Sequence, residues 1–395
     1  MPHDVSLIST VAVGLTFAFV GGFLAVRVGL PPLVGYLLAG IVVGPFTPGF
    51  VADGRLAPQI AEIGVVLLMF GVGMHFSIGD LWAVRRIAVP GAVGQIAVAT
   101  VLGAGVSQLW GWELDDGLMF GLALSTASTV VLLRTLEDRG LVQTADGRIA
   151  VGWLVVEDLV MVLALVLLPA LAHALAPAGA QPAAHGIGWA IAITLGKVTA
   201  FVGLMLVVGK RVFPRLLKRV ERTGSRELFT LAVIALSLGV AFIAAELFGV
   251  SLALGAFFAG MVVHESDLSH RAAQELLPLQ DAFGALFFVA VGMLFDPSVL
   301  VREPLRVLVV VLIIVIGKSL AALGIVLLLR GSMHTALTVS AALAQIGEFS
   351  FILAALGVSL GLLEPETQSL IVAGSLLSIT INPIVFRALA RPARA

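Results

Sequence analysis

The amino-acid sequence predicts an all-α integral membrane protein: thirteen transmembrane helices, two inverted five-helix repeats, and interrupted helices crossing near the bilayer midplane. Three observations carry that prediction: the composition, the sidedness of the basic residues and an internal repeat. Of the 395 residues, 59% are hydrophobic and 12% charged, with a mean hydropathy of +1.11. A water-soluble globule carries roughly 25% charge, so the chain is not one. Cysteine is absent, which excludes disulfides and thiolate metal sites, and the seven His show no metal-ligand spacing. A net charge of -1 excludes a basic nucleic-acid binder, and no cofactor motif is present. Met1 to Thr10 contain no Lys or Arg, so the first apolar run lacks the basic start of a signal peptide and reads as a retained helix.

Thirteen apolar runs follow in order, at roughly 6–26, 32–44, 58–76, 87–110, 117–133, 149–171, 187–209, 227–246, 250–263, 281–294, 305–329, 335–357 and 368–386. The runs at 32–44, 250–263 and 281–294 fall short of the ~20 residues that span a bilayer, so hydropathy alone allows re-entrant segments or helices completed by flanking residues. Loops are short and turn-rich, as at 44–49 and 176–179, with no soluble domain between helices, so residues 1–395 read as a single membrane domain.

Thirteen crossings put alternate loops on opposite sides, and the Lys and Arg residues test that assignment independently of hydropathy. One side receives Arg27, Arg85, Arg86, Arg134, Arg139, Arg148, seven basic residues from Lys210 to Arg226, Arg271, Arg330, Arg387, Arg391 and Arg394; the other receives Arg55, Arg302 and Arg306. By the positive-inside rule the N-terminus is outside and the C-terminus cytoplasmic, in a cell inner (plasma) membrane. Dropping any run scrambles the split, so all three short runs count as crossings. The basic loop from Lys210 to Arg226 reads as an anchor to anionic lipid, with a docking surface for a regulatory partner as the alternative.

The repeat is legible in the letters. Gly35-x-x-x-Ala39-Gly40-Ile41-Val42-Val43 returns as Gly255-x-x-x-Ala259-Gly260-Met261-Val262-Val263, offset by 220. Val72-Gly73-Met74-x-Phe76 returns as Val291-Gly292-Met293-x-Phe295, and Ala123-Leu124 as Ala342-Leu343, each offset by 219. The second run corresponds to the ninth, seven crossings later, and an odd number inverts the orientation. Repeats at about 32–171 and 250–386 follow, linked by helices over 187–246, an organisation found in many secondary transporters.

Within this frame the run at 149–171 stands out, because Glu157 and Asp158 lie near its middle. A charge there costs at least ~3 kcal/mol on insertion scales, so intramembrane carboxylates generally line an aqueous path or hold a partner. Substrate sites in inverted-repeat folds lie where helices are interrupted, and the fifth and twelfth runs qualify. Ser125, Thr126, Ser128 and Thr129 place four hydroxyls within five residues, and the repeat mate supplies Gln345, Gly347 and Glu348. The bland alternative is that the hydroxyls bond back along the helix, that Gly packs helices closely, and that Glu348 pairs helices.

Lys318 lies in the middle of the eleventh run, where an ammonium needs a carboxylate; it reads as a charge partner at the site, with a structural ion pair as the alternative. Gly317-Lys318-Ser319 is no phosphate loop, because Leu312 stands where the first Gly of that motif belongs. Lys197, outside both repeats, reads as structural. Glu62, Glu246 and Asp281 sit near run ends, where they reach the headgroups.

Four segments carry a family resemblance: Gly35 to Pro45 (GYLLAGIVVGP), Gly152 to Leu168 (GWLVVEDLVMVLALVLL), Leu286 to Asp296 (LFFVAVGMLFD) and Ala344 to Ile352 (AQIGEFSFI). In this order and spacing the chain resembles the membrane domain of the Kef-type monovalent cation:proton antiporters. The resemblance implies a homodimer, thirteen helices, a core domain that moves against a dimerisation domain, and an ion site on Asp158. The residue before that Asp varies in the family between amide and acid; here it is Glu157, which leaves electrogenic and electroneutral coupling both open. Many Kef-type proteins continue into a cytoplasmic nucleotide-binding regulatory domain, as a domain or separate subunit, whereas this chain stops at Ala395.

The expected chemistry is competition for one carboxylate. Asp158 in a partly dehydrated site is neutral with a proton or ionic with a monovalent cation, K⁺ or Na⁺, with Ser125 and Thr126 as further ligands and Glu157 tuning or pairing. No other metal is expected. The alternatives are a gated K⁺ efflux pore and, less well supported, a membrane-embedded enzyme, for which neither Ser-His pairing nor metal spacing is present.

Overall fold

The computed structural model describes residues 6–48, 56–75, 78–175 and 186–389, and these residues are helical apart from short connections. The first half of the chain forms α1 (Ser6–Arg27), α2 (Pro32–Val43), α3 (Leu56–His75), α4 (Ile78–Leu109), α5 (Leu114–Ser125), α6 (Thr129–Glu137), α7 (Ala145–Leu175), α8 (Gly186–Leu204) and α9 (Lys210–Glu221). The second half forms α10 (Arg226–Phe248), α11 (Leu252–His264), α12 (Ser269–Met293), α13 (Val299–Arg302), α14 (Pro304–Leu312), α15 (Lys318–Leu328), α16 (Met333–Ala342), α17 (Glu348–Ser359) and α18 (Pro365–Leu389). The turn at 176–179 and Arg55, Arg391 and Arg394 lie outside the described residues.

Ten helical stretches among the described residues are long and apolar enough to cross a membrane, accompanied by the shorter apolar helices α2, α11 and α17. The chain is a multi-span membrane protein. Its exposed apolar side chains, such as Phe19, Leu102, Phe242 and Leu320, are what a lipid-facing surface requires.

Three expectations from the sequence need adjusting. The run at 281–294 is not a short segment but the end of α12, a 25-residue helix whose first half carries His270, Arg271, Gln274 and Glu275 and therefore escapes hydropathy. The basic stretch from Lys210 is not a loop: Lys210–Glu221 is helix, continuous with α8 through one widened, π-type turn at Met205–Gly209. Its cations also face carboxylates: Lys210 pairs with Glu265 at 3.3 Å, Lys218 with Asp267 at 2.6 Å and Arg226 with Glu275 at 2.9 Å. The Lys218 hydrogen bond holds the Asp267 carboxyl below its usual range. Pairs at the surface, screened by solvent, add little to stability. Lys197 is exposed, with its ammonium near Gly249 at the C-terminal end of α10, where a cation complements the helix dipole.

Helix ends follow local chemistry. Pro32 opens α2, Ser251 caps α11 by accepting the Leu254 N–H, and Gly249 ends α10 in the left-handed region at φ 63°. The described residues form two compact units. One contains α3, α8 to α11, the end of α7 from Val162 and α12 as far as Ala290; the other contains α2, α4 to α6, α7 up to Met161, and the chain from Val291 onward.

Within the first unit α3 and α11 cross at near-backbone contact. A Cβ on Gly73 would lie 2.1 Å from Phe257 O, and one on Gly260 2.1 Å from Phe70 O. Within the second unit the end of α12 meets α2 in the same way, a Cβ on Gly292 falling 2.2 Å from Leu37 O. Only a missing side chain permits this approach, the usual device where lipid supplies no hydrophobic drive to association. A buried core of Trp153, Leu132, Leu136, Val339, Leu343 and Phe386, with Ala88, Ala92, Ala322 and Ala342 between them, holds the second unit around the two helix breaks.

Candidate ion-binding site

The second unit contains both interrupted helices. The first break, residues 126–128, separates α5 from α6; the second, 343–347, separates α16 from α17. They lie against one another. Ser128 N–H donates to Gln345 Oε1 at 2.9 Å, and Gln345 Nε2 donates back to Ser128 O at 3.2 Å, so one side chain satisfies both backbone groups of the facing residue. Gly347 makes room: a Cβ there would sit 2.4 Å from Ser128 Cα. Its φ of -129° is open to any residue, so glycine is needed for space and not for conformation.

Interrupting a helix inside a membrane exposes backbone groups, each costing several kcal/mol unless paired. Polar side chains from neighbouring helices supply the partners. At the first break Gln95 of α4 donates to Ser125 O at 3.2 Å, and Ala127 N–H donates to Glu157 Oε2 at 2.9 Å. At the second, Lys318 Nζ donates to Gln345 O at 2.9 Å, and from α18 Asn382 reaches Ala341 O at 2.9 Å and Ser375 Ile346 O at 3.5 Å. Lys318 follows a second π-type turn, Ile313–Gly317; such widened turns rotate the following side chains, and Lys318 is fully buried although Leu312, Ile316 and Leu320 around it are exposed.

The four ionisable side chains here are almost wholly inaccessible: Glu157 and Lys318 are 0% exposed, Asp158 1% and Glu348 3%. Their surroundings differ. Glu157 accepts from Gln95 Nε2 at 2.6 Å, Trp153 Nε1 at 3.2 Å and the Ala127 N–H, and it faces the charge of Lys318. Asp158 accepts on Oδ2 from Thr129 Oγ1 at 3.2 Å, while Oδ1 is buried without a donor. Thr129 and Glu348 are the first residues of α6 and α17, so two positive helix ends lie beside the carboxylates.

The residues singled out in the sequence therefore come together, with some in other roles than expected. Ser125 Oγ donates back to Leu122 O at 2.7 Å, the helix-internal bond, and Thr126 Oγ1 pairs with Ser350 Oγ at 3.1 Å; the hydroxyl on Asp158 belongs to Thr129. Ser128 caps α6 by accepting the Val131 N–H. Lys318 is bonded to a carbonyl, and the carboxylate whose charge it faces is Glu157 and not Asp158. Sequence reasoning missed Gln95, Trp153, Ser350 and Asn382. Gln95 was findable as the one side-chain amide deep in the fourth run, and Trp153 by its i,i+4 spacing to Glu157.

This arrangement, a donor-poor carboxylate beside two abutting helix breaks, is that of a secondary transporter of small ions. Comparison with known proteins gives the family. The model of the transmembrane sodium/hydrogen exchanger family matches residues 15–391, and the chain belongs to that family of cation/proton antiporters. These are transporters and not enzymes. The chain is 59% identical over 386 residues, 98% of its own length and 69% of the relative's, to YbaL of Escherichia coli (strain K12), named as a candidate cation/proton antiporter. It is 33% identical over 386 residues to K⁺ efflux antiporter 4 of Arabidopsis thaliana, covering 97% of this chain and 64% of that one. The fold is similar to that of the sodium proton antiporter MjNhaP1 of Methanocaldococcus jannaschii, with a TM-score of 0.73 at 16% identity over 97% of this chain and 96% of the other.

Proposed function

We propose that the chain exchanges a monovalent cation, K⁺ or Na⁺, for protons by alternating access, with Asp158 as the carboxylate that both ions share. The observation that carries this is the buried Asp158 Oδ1 without a donor, one residue from a carboxylate with every donor it needs. A permanently ionised Asp158 in that setting would be costly, so it holds either a proton or a cation, and one excludes the other. The plant relative's name as a K⁺ efflux antiporter favours K⁺ as the cargo.

The finer architecture belongs to the same proposal: thirteen crossings, N-terminus outside, C-terminus cytoplasmic, in an inner membrane, as a homodimer. Two inverted repeats are supported by packing as well as by letters. Gly73 closes on Phe257 O and Gly292 on Leu37 O, so the contacts repeat at the offsets of 219 and 220 that relate the sequence echoes. Gln95 and Lys318, from runs four and eleven, likewise each donate to a carbonyl at a helix break.

The test uses purified protein in sealed proteoliposomes with an internal pH indicator, under Na⁺ or K⁺ gradients with the membrane potential clamped. Cation-driven pH change that saturates with cation concentration is expected. K⁺ flux driven by membrane potential without proton movement would identify the gated pore instead.

A further inference from the structure

We propose that Glu348 is a second acidic ligand of the transported cation, so that the ion is held between two carboxylates, Asp158 of α7 and Glu348 at the first turn of α17. The inference rests on the reading of Asp158 as the exchanging carboxylate and adds a residue to it from the other interrupted helix.

Buried carboxylate oxygens are satisfied in folded proteins with few exceptions, and the exceptions need a reason. Among the described residues, the buried carboxylate oxygens without a donor are Asp158 Oδ1 and Glu348 Oε2. Their side chains face each other electrostatically: of the charges acting on Asp158, that of Glu348 is the strongest, ahead of Glu157 although Glu157 is its neighbour in the chain. The Thr129 hydroxyl lies at both carboxylates, donating to Asp158; Glu348 also accepts from its own N–H, the Ser128 hydroxyl and the Thr129 N–H, which leaves its Oε2 without a donor.

The charges then divide into two pairs. Glu157 and Lys318 face one another, and each is fastened to a helix break. Asp158 and Glu348 have no cationic side chain between them, and each leaves one oxygen unused. A carboxylate kept only to join helices would be donor-saturated, as Glu157 is in the same site. Two like charges that act on each other in a low-dielectric setting are relieved by a proton or a cation in common. A monovalent cation takes the two free oxygens together with the Thr129 hydroxyl; a proton arriving at either carboxylate removes one charge and expels it. Hard oxygen ligands of this kind suit an alkali cation and give no special hold on a soft metal.

The test compares Glu348→Gln with Asp158→Asn in proteoliposomes, alongside thermal stability of the detergent-purified proteins in NaCl, KCl or choline chloride at equal ionic strength. Glutamine retains the volume and a neutral acceptor for the first turn of α17, so it isolates the charge. Glu348→Gln is expected to raise the half-saturating cation concentration by about tenfold or more while proton exchange persists at high cation. It should also abolish most of the extra stability that Na⁺ or K⁺ confers over choline, since a ligand stabilises only what it binds. Glu348→Asp, which keeps the charge on a shorter stem, should fall between, and it decides the matter if the Gln variant does not assemble. Unchanged half-saturation and unchanged cation stabilisation in these variants, with Asp158→Asn inactive, would overturn the role of Glu348 and leave the antiport reading standing. Retained exchange in Asp158→Asn would instead remove the reading on which the inference rests.

Discussion

The two helix breaks meet the same requirement by different means. At the first, a neutral amide and a carboxylate close the backbone: Gln95 on Ser125 O, Glu157 on Ala127 N–H. At the second, an ammonium and neutral groups do so: Lys318 on Gln345 O, Ser375 on Ile346 O, Asn382 on Ala341 O. One break is thus closed by an acidic side chain and the other by a basic one, and the two face each other. The difference lies in which charged side chains are bonded to the interrupted backbone. In the proposed mechanism Glu157 and Lys318 fasten the two breaks, and the buried carboxylates that each keep an oxygen without a donor are Asp158 and Glu348.

If that division holds, variants should separate into those that lose transport and those that lose stability. The largest effect on transport is expected for Asp158→Asn: cation-driven proton flux in sealed vesicles falls to the level of protein-free vesicles, because an amide neither exchanges a proton near neutral pH nor carries a full charge. Its thermal stability should not fall, since a buried charge short of donors is being removed. Lys318→Met should do the reverse in kind, destabilising the fold by about 3–5 kcal/mol by stranding Glu157 and Gln345 O. Adding Glu157→Gln should recover part of that loss in a double-mutant cycle read by thermal unfolding, and independent losses would break the pairing proposed here.

Gly347→Ala should cost about 1–3 kcal/mol, the range for overpacking, because the new Cβ meets backbone of the other break and cannot be relieved by a side-chain rotation. Normal stability and transport in this variant would mean that the breaks do not need their close approach.

The smallest effect concerns a carboxylate outside the membrane. Asp296 accepts from Ser298 N–H at 2.9 Å and Ser298 Oγ at 2.7 Å, and these bonds hold its carboxyl below the usual range. A depressed folded-state value contributes stability above about pH 4 that is lost as pH falls further. Ser298→Ala should therefore lower the melting temperature slightly more at pH 7 than at pH 3, narrowing the gap between them. An effect as large as that of Lys318→Met would contradict the view that donors matter more in the membrane than at its edge.

Much of this was legible in the letters, for reasons that also mark the limit. Charges in apolar runs are rare, so Glu157, Asp158 and Lys318 announce themselves, and hydroxyls beside a repeat-matched Gly and Glu locate both breaks. What hydropathy and spacing cannot convey is direction. Ser125, Thr126 and Thr129 look alike as letters, yet the helix ends at Ser125 and restarts at Thr129, and that restart turns only Thr129 toward Asp158. The partner of Lys318 was likewise hidden, because the widened turn at Ile313–Gly317 shifts its facing in a way no periodicity predicts. The amphipathic first half of α12 and the helical basic segment of α9 were obscured by their own polarity.

The most direct test of Asp158 as the shared carboxylate is proton release on cation binding, measured with a pH indicator in weakly buffered detergent solution of the purified protein. Adding Na⁺ or K⁺, with choline as control, should release protons from the wild-type protein and from Glu157→Gln, and none from Asp158→Asn. Release that persists in Asp158→Asn but disappears in Glu157→Gln would contradict the account and make Glu157 the exchanging group.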